Sequence, residues 1–210
     1  MSTEAPKPLT RRAERTRAKL VTAARKVFEK HGVLETRIVD IAKEAGVAVG
    51  SFYTYFESKE ELLREVAATL YVELIPPLPA EVGPDPRARI EAGNRAYVRA
   101  YEKNARILTL VQHQTLSDAT LRGLYEEARA AFIARVERSI RRLQREGLSP
   151  KDVSPRLAAH MLAGMVHEFC YTTFGFGTVD FDPEEAVSTL TTLWTRALAL
   201  KPETKKKSKP

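Results

Sequence analysis

Apolar side chains recur at intervals of three and four residues along almost the whole chain, the spacing of helix faces rather than strands. The pattern predicts an all-α fold. From Arg15 to Lys30 the inner face carries Ala18, Leu20, Val21, Ala24, Val27 and Phe28, and Gly32 can close the helix in a left-handed conformation. Thr36 is placed to cap a short second helix with Ile38, Ile41, Ala42 and Ala45 inward, ended by Gly46. A third short helix over 48–55 buries Phe52 and Phe56, one turn apart. Ser58 caps a fourth, whose first turn holds Glu60 and Glu61 where the helix dipole favours anions.

The run Pro76-Pro77-Leu78-Pro79 stops the fourth helix, and a linker leads to Pro86. The spacing then predicts a helix to about Lys103, a short apolar one over 107–113, and a long one from Ser117 to about Glu146, ended by Gly147. Ser154-Pro155 and Asp182-Pro183 each put a capping side chain before a proline at the first helical position, where the missing N–H costs nothing. The helix from Pro155 to about Thr173 is apolar nearly all round, so it needs cover on every side. The expected cover is a second subunit, with the last helix (Val187, Leu190, Leu193, Trp194, Ala197, Leu198) pairing with it.

Charge is concentrated at the two ends. Residues 1–60 hold 12 Lys and Arg against 8 Asp and Glu, 61–200 hold 17 against 18, and the last ten hold 5 against 1, giving +7 over 210 residues. A basic N-terminal part is expected to meet an anion, and the tail 201–210, without an apolar anchor, is expected to be disordered. Cys170 is the only cysteine, which excludes intrachain disulfides and thiolate clusters and suits a reducing cytoplasm. No stretch has the length of a signal peptide's apolar core or the roughly 18 apolar residues of a membrane span.

The most informative segment is Ile41-Ala42-Lys43-Glu44-Ala45-Gly46-Val47, followed by Gly50-Ser51-Phe52-Tyr53-Thr54-Tyr55-Phe56 and Ser58-Lys59-Glu60-Glu61-Leu62. Small Ala42 and Ala45 allow close helix approach, Gly46 makes the turn and Val47 plugs the corner: a helix-turn-helix, which offers its second helix to the DNA major groove. Over 15–63 these elements, in this order and spacing, resemble the TetR family of one-component transcriptional regulators. Past residue 75 the likeness is one of architecture only.

The resemblance implies an N-terminal domain at 1–57, with 1–12 a flexible basic arm, and a helical effector-binding and dimerising domain at 58–200. It further implies a homodimeric repressor of a palindromic double-stranded operator, released by a small, largely apolar effector. Ser51, Tyr53, Tyr55 and Lys59 match positions that hold phosphates, while Arg37, Val49, Gly50 and Thr54 match positions near base edges or the adjacent backbone. Two departures stand out: Ala48 replaces the usual Ser or Thr cap of the recognition helix, and Val39 stands where an arginine is common. Base reading is therefore expected to shift to Arg37 or to the arm around Arg11 and Arg12.

Tyr97, Tyr101, His113, Phe132, Met161, Met165 and Phe169 are the expected lining of the effector cavity. His160 and His167 lie seven residues apart, about 10.5 Å along a helix, too far to share a metal, and read as core or pocket histidines. No metal site, cofactor motif or catalytic set is found, so no enzyme activity is expected. The alternative is a helical ligand-binding or scaffold protein with only non-specific DNA affinity, which would lack sequence preference.

Overall fold

The computed structural model describes residues 10–75, 85–177 and 181–200. Residues 1–9 of the expected arm 1–12, the proline run 76–79 with most of the linker, and the tail 201–210 lie outside them. The described residues form eight α-helices and no strand: α1 (Arg11–Glu35), α2 (Ile38–Ala45), α3 (Val49–Tyr53), α4 (Lys59–Leu74), α5 (Pro86–Gln114), α6 (Ala119–Arg145), α7 (Pro155–Cys170) and α8 (Pro183–Ala197). A wide helical turn over Tyr171–Gly175 continues α7.

Helix α1 begins earlier than its apolar period suggests. Thr10 accepts from the Ala13 N–H as N-cap, so Arg11 and Arg12 lie in the first helical turn rather than in a flexible arm. At the other end Gly32 takes φ 77°, kinking the chain before one more turn. Thr36 does not cap α2: its buried hydroxyl donates back to the Gly32 carbonyl at 2.6 Å, and Arg37 is the cap residue without a side-chain bond. The hydroxyl is drawn to the carbonyl left unpaired by the kink, a need that periodicity does not reveal.

Helix α5 is continuous where two helices were expected. Asn104, the polar residue at the anticipated break, donates to the Ala100 carbonyl at 2.7 Å and accepts from the Arg25 guanidinium, so it is satisfied without ending the helix. Asp118, not Ser117, caps α6, accepting from the N–H groups of Thr120 and Leu121. Ser58, Ser154 and Asp182 cap as expected.

A single apolar core runs through the described residues, from Phe28, Ile41 and Phe52 through Leu62, Leu63 and Leu70 to Tyr101, Ile107, Val166 and Leu190. Helices α1 to α3 form one end of the molecule and α4 joins it to the rest, packing on α1, α5 and α6. Arg17 of α1 pairs with Glu65 of α4 at 2.6 Å, and Arg64 of α4 pairs with Asp118 at the start of α6 at 2.9 Å. Adjacent residues of α4 thus hold opposite halves of the protein. Helix α7 packs chiefly on α6, and α8 on α5, rather than on each other as the sequence suggested. Both also keep apolar side chains in solvent: Leu157 and Met161 on α7, and Leu193 on α8.

Candidate nucleic-acid interface and effector cavity

Helices α2 and α3 meet through Gly46, in the left-handed region at φ 69°, and the Val47 N–H closes the turn on the Ala42 carbonyl at 3.0 Å. A side chain with a Cβ is disfavoured there. Phe52 and Phe56 are buried with ring centroids 5.9 Å apart, and the Arg17 guanidinium lies 5.1 Å above the Phe56 ring. With its inner face anchored in this way, α3 turns Val49, Gly50, Tyr53 and Thr54 to solvent, while Ser51 and Tyr55 are half-buried at its flanks. Ala48 makes no side-chain cap bond, as its lack of a polar atom dictates. A two-helix unit with an exposed, small and hydroxyl-bearing second helix has the shape that enters a major groove.

Two expected contacts are already engaged within the protein. Arg37 is exposed and forms a bidentate pair with Asp40, Nε to Oδ2 at 2.8 Å and Nη2 to Oδ1 at 3.0 Å. The hydrogen bond to Arg37 holds the Asp40 carboxyl below its usual range and raises the guanidinium in turn. Lys59 donates all three ammonium hydrogens to main-chain carbonyls at the end of α1 and beyond: Val33 at 2.9 Å, Leu34 at 2.8 Å and Thr36 at 2.9 Å. Its place in this structure is therefore as a brace rather than a free cation.

Behind α4 lies a cavity in two compartments that share Ile75, Tyr97 and Phe132. The outer one, about 620 Å³, runs between α5, α6 and α8 along Ile90, Val136, Ile140, Leu143, Trp194 and Leu198, with Arg89, Arg135 and Arg142 also on its wall. Such a volume is in the range of small-molecule sites, about 300–1,000 Å³. The inner chamber, about 30 Å³, is bounded by Tyr71 and Leu74 of α4, by Tyr101, Leu108 and Gln112 of α5, by Tyr125 and Arg129 of α6, and by His167 of α7.

Tyrosines dominate the inner chamber. The Tyr97 hydroxyl lies 3.0 Å from His167 Nδ1, and burial pushes the Tyr71, Tyr97 and Tyr101 hydroxyls above their usual range. Burial, and then the Arg129 charge, lowers His167 to about 4, so the imidazole is neutral at ordinary pH. Burial raises Cys170 to about 12, which leaves an unreactive thiol packed in the core. Among the described residues two buried donors, Tyr101 Oη and Trp194 Nε1, find no hydrogen-bond partner. Leaving such groups unmatched costs about 1–3 kcal/mol each.

Of the residues expected to line a cavity, Tyr97, Tyr101 and Phe132 do so. His113 is exposed, because the last turn of α5 points Val111 and Gln112 inward and His113 out. Met161 is 70% exposed, on the side of α7 away from α6. Met165 and Phe169 are half-buried on the core margin outside the cavity, with Phe169 against Phe174 and Phe181. Sequence reasoning missed Arg129 and Gln112, although an arginine standing in the apolar row Tyr125, Arg129, Phe132, Val136 was a legible sign.

The described residues contain no group of three or more His, Cys, Asp and Glu side chains able to hold a metal, and no helix long and apolar enough to cross a membrane. Fold and site together define a helical protein with an N-terminal helix-turn-helix and a cavity-bearing helical body. The chain matches, over residues 20–66, the family described as bacterial regulatory proteins, tetR family. It is 41% identical over 59 residues to the HTH-type transcriptional regulator TtgR of Pseudomonas putida, a match over 28% of each chain. The match thus spans less than a third of that relative. The HTH-type transcriptional regulator HbdR of Aromatoleum sp. (strain CIB) is 26% identical over 168 residues, 78% of this chain and 72% of that one. Among solved structures, transcriptional regulator FadR from Bacillus subtilis in complex with stearoyl-CoA shares the fold, with a TM-score of 0.70 at 20% identity over 84% of this chain and 96% of that one.

Proposed function

We propose that the protein is a sequence-specific transcriptional repressor that binds a palindromic operator as a homodimer and is released by a small, largely apolar effector. It acts in the cytoplasm as a binding protein, without catalysis. The carrying observation is the exposed outer face of α3, Val49, Gly50, Tyr53 and Thr54, fixed on a buried phenylalanine pair within the matched domain. Ser51, Tyr53 and Tyr55 would hold phosphates and set register, while Val49, Gly50, Thr54 and a released Arg37 would meet base edges or the backbone beside them. The body from 58 to 200 would bind the effector and form the dimer.

Coupling would run through α4. Tyr71, Leu74 and Ile75 at its C-terminal end form cavity wall, and Arg17–Glu65 ties the same helix to α1. A ligand that fits the cavity only when α4 is displaced shifts the recognition helices off the spacing of about 34–36 Å between successive major grooves. A protein of similar fold supports an effector with a long apolar part: FadR from Bacillus subtilis binds stearoyl-CoA.

The test is selection of bound sequences from a random DNA pool at about physiological salt, where non-specific binding is weak. An enriched palindrome is the expected outcome. Uniform recovery of all sequences by the unliganded protein would replace this reading with a scaffold of non-specific DNA affinity.

A further inference from the structure

The two compartments share Ile75, Tyr97 and Phe132, and each combines apolar wall with charged groups. The outer compartment joins Ile90, Val136, Ile140, Leu143 and Trp194 with Arg89, Arg135, Arg142 and Glu146, and its size suits the body of a small ligand. The inner chamber has room for about two water-sized groups, and its wall brings together Arg129, Gln112, His167 and the hydroxyl-bearing rings of Tyr71, Tyr101 and Tyr125. An alkyl end placed there would set the Arg129 cation against hydrocarbon, which is costly.

Arg129 is the central observation. It is half-buried on the apolar row of α6, its Nη2 facing Gly164 of α7, and it forms no ion pair or hydrogen bond among the described residues. Its charge reaches the chamber, since it opposes protonation of His167. Beside it, Tyr101 Oη is a buried donor without a partner among the described residues. A chamber holding an uncompensated guanidinium and an unmatched hydroxyl is complementary to a small, planar, anionic acceptor. The other arginines of the cavity are differently placed: Arg142 is paired with Glu146 at 2.8 Å, Arg135 lies 5.7 Å above the Phe132 ring, and Arg89 is exposed.

We propose that the inner chamber receives the carboxylate of the effector, held by Arg129 with Tyr101 and Gln112, and that the effector's apolar body lies in the outer compartment. The effector class is then an apolar-bodied organic acid entering head first, its charge set against α4. This assignment rests on the reading of the protein as an effector-controlled regulator. It adds the sign of the ligand's charge, the direction of entry and the residue that selects it.

The test uses the full-length protein and three probes with the same apolar body: decanoate, 1-decanol and decylamine. Isothermal calorimetry should show decanoate binding at least about ten times more tightly than either of the others. Arg129→Gln should weaken decanoate about ten- to a hundredfold and leave decanol within about twofold, a selectivity that mere loosening of the cavity would not produce. Should Arg129→Gln fail to fold, Arg129→Lys, which keeps the charge, should retain the preference for decanoate over decanol. Arg106→Gln, on the exposed face of α5 and outside both compartments, should leave that preference intact. Equal binding of acid and alcohol, absence of decanoate binding, or loss of the preference in Arg106→Gln rather than at Arg129 would each overturn the assignment. Operator binding by the unliganded protein is scored separately. An operator released only by neutral compounds would sink the chamber and leave the regulator standing; decanoate held by Arg129 in a protein without DNA preference would do the reverse.

Discussion

The ammonium of Lys59, the first residue of α4, donates to the carbonyl of Val33 at 2.9 Å, binding the start of one helix to the end of another 26 residues earlier. Leu34 and Thr36 take its other two hydrogens. Main-chain acceptors at a helix end have no intrahelical partner, and a cation is the strongest donor for them. The position thus fixes the angle at which the helix-turn-helix meets α4. Lys59→Met should remove these bonds and cost about 2–3 kcal/mol, a fall in melting temperature of about 4–12 °C for a chain of this size. Thermal unfolding followed by circular dichroism measures it. An unchanged melting temperature with weaker DNA binding would return Lys59 to the phosphate contacts.

Arg37 stands at the start of α2 with its guanidinium tied to Asp40 in the same turn. A side chain so held reads no base until the pair opens, and Asp40 places a negative charge where phosphates would approach. Asp40→Asn should therefore raise operator affinity severalfold, most at low salt where surface charges are least screened. Arg37→Ala should flatten sequence preference at one position while sparing total affinity for mixed DNA. Binding selections on both variants decide the matter; an unaltered preference in Arg37→Ala removes it from base reading.

The helix-turn-helix was legible in the sequence because its determinants are local: Gly46 must turn left-handed, Ala42 must be small, and Phe52 and Phe56 must point inward. The caps Ser58, Ser154 and Asp182 were legible for the same reason. What escaped depends on partners distant in the chain. Asn104 reads as a helix breaker until Arg25, 79 residues away, is seen to bond it. Lys59 reads as a free cation until the carbonyls of α1 are brought under it. Met161 and Met165 read as cavity lining because an all-apolar helix does not declare which face meets α6 and which meets solvent. Gln112 and Arg129 become neighbours only when α5 and α6 pack.

His167 has Tyr97 and Tyr101 of α5, Tyr125 and Arg129 of α6, and Tyr171 beyond its own helix around it, none of them a carboxylate. Nothing stabilises the imidazolium, which is why its folded value lies near 4 against an ordinary 6.5. The unfolded chain binds the proton more readily, so the stability from this residue is fully present above pH 6.5 and is lost as the pH falls toward 4. The loss approaches about 3 kcal/mol at most. His167→Gln should be nearly insensitive to pH in that window, so the stability gap between the two proteins should narrow on acidification. Denaturant unfolding at several pH values between these limits measures the gap; a constant gap would mean that His167 is protonated alike in both states.

Helix α7 presents Ala159, Leu162, Ala163, Val166 and Cys170 to the interior and leaves Leu157 at 58% and Met161 at 70% exposure, with Leu193 of α8 at 45%. Large apolar side chains spaced one turn apart in solvent favour burial against a second copy of the same surface, as a two-fold dimer requires. Met161→Glu tests this better than a change at half-buried Met165, because its side chain carries little of the protomer's own packing. The variant should keep its helical signal and scatter light as a 23.5 kDa monomer, against twice that mass for the parent protein. Binding to a palindromic operator should fall by orders of magnitude, since each half-site is then held alone, while a single half-site is bound as before. A dimer that survives both Met161→Glu and Leu193→Glu would place the subunit interface on another face.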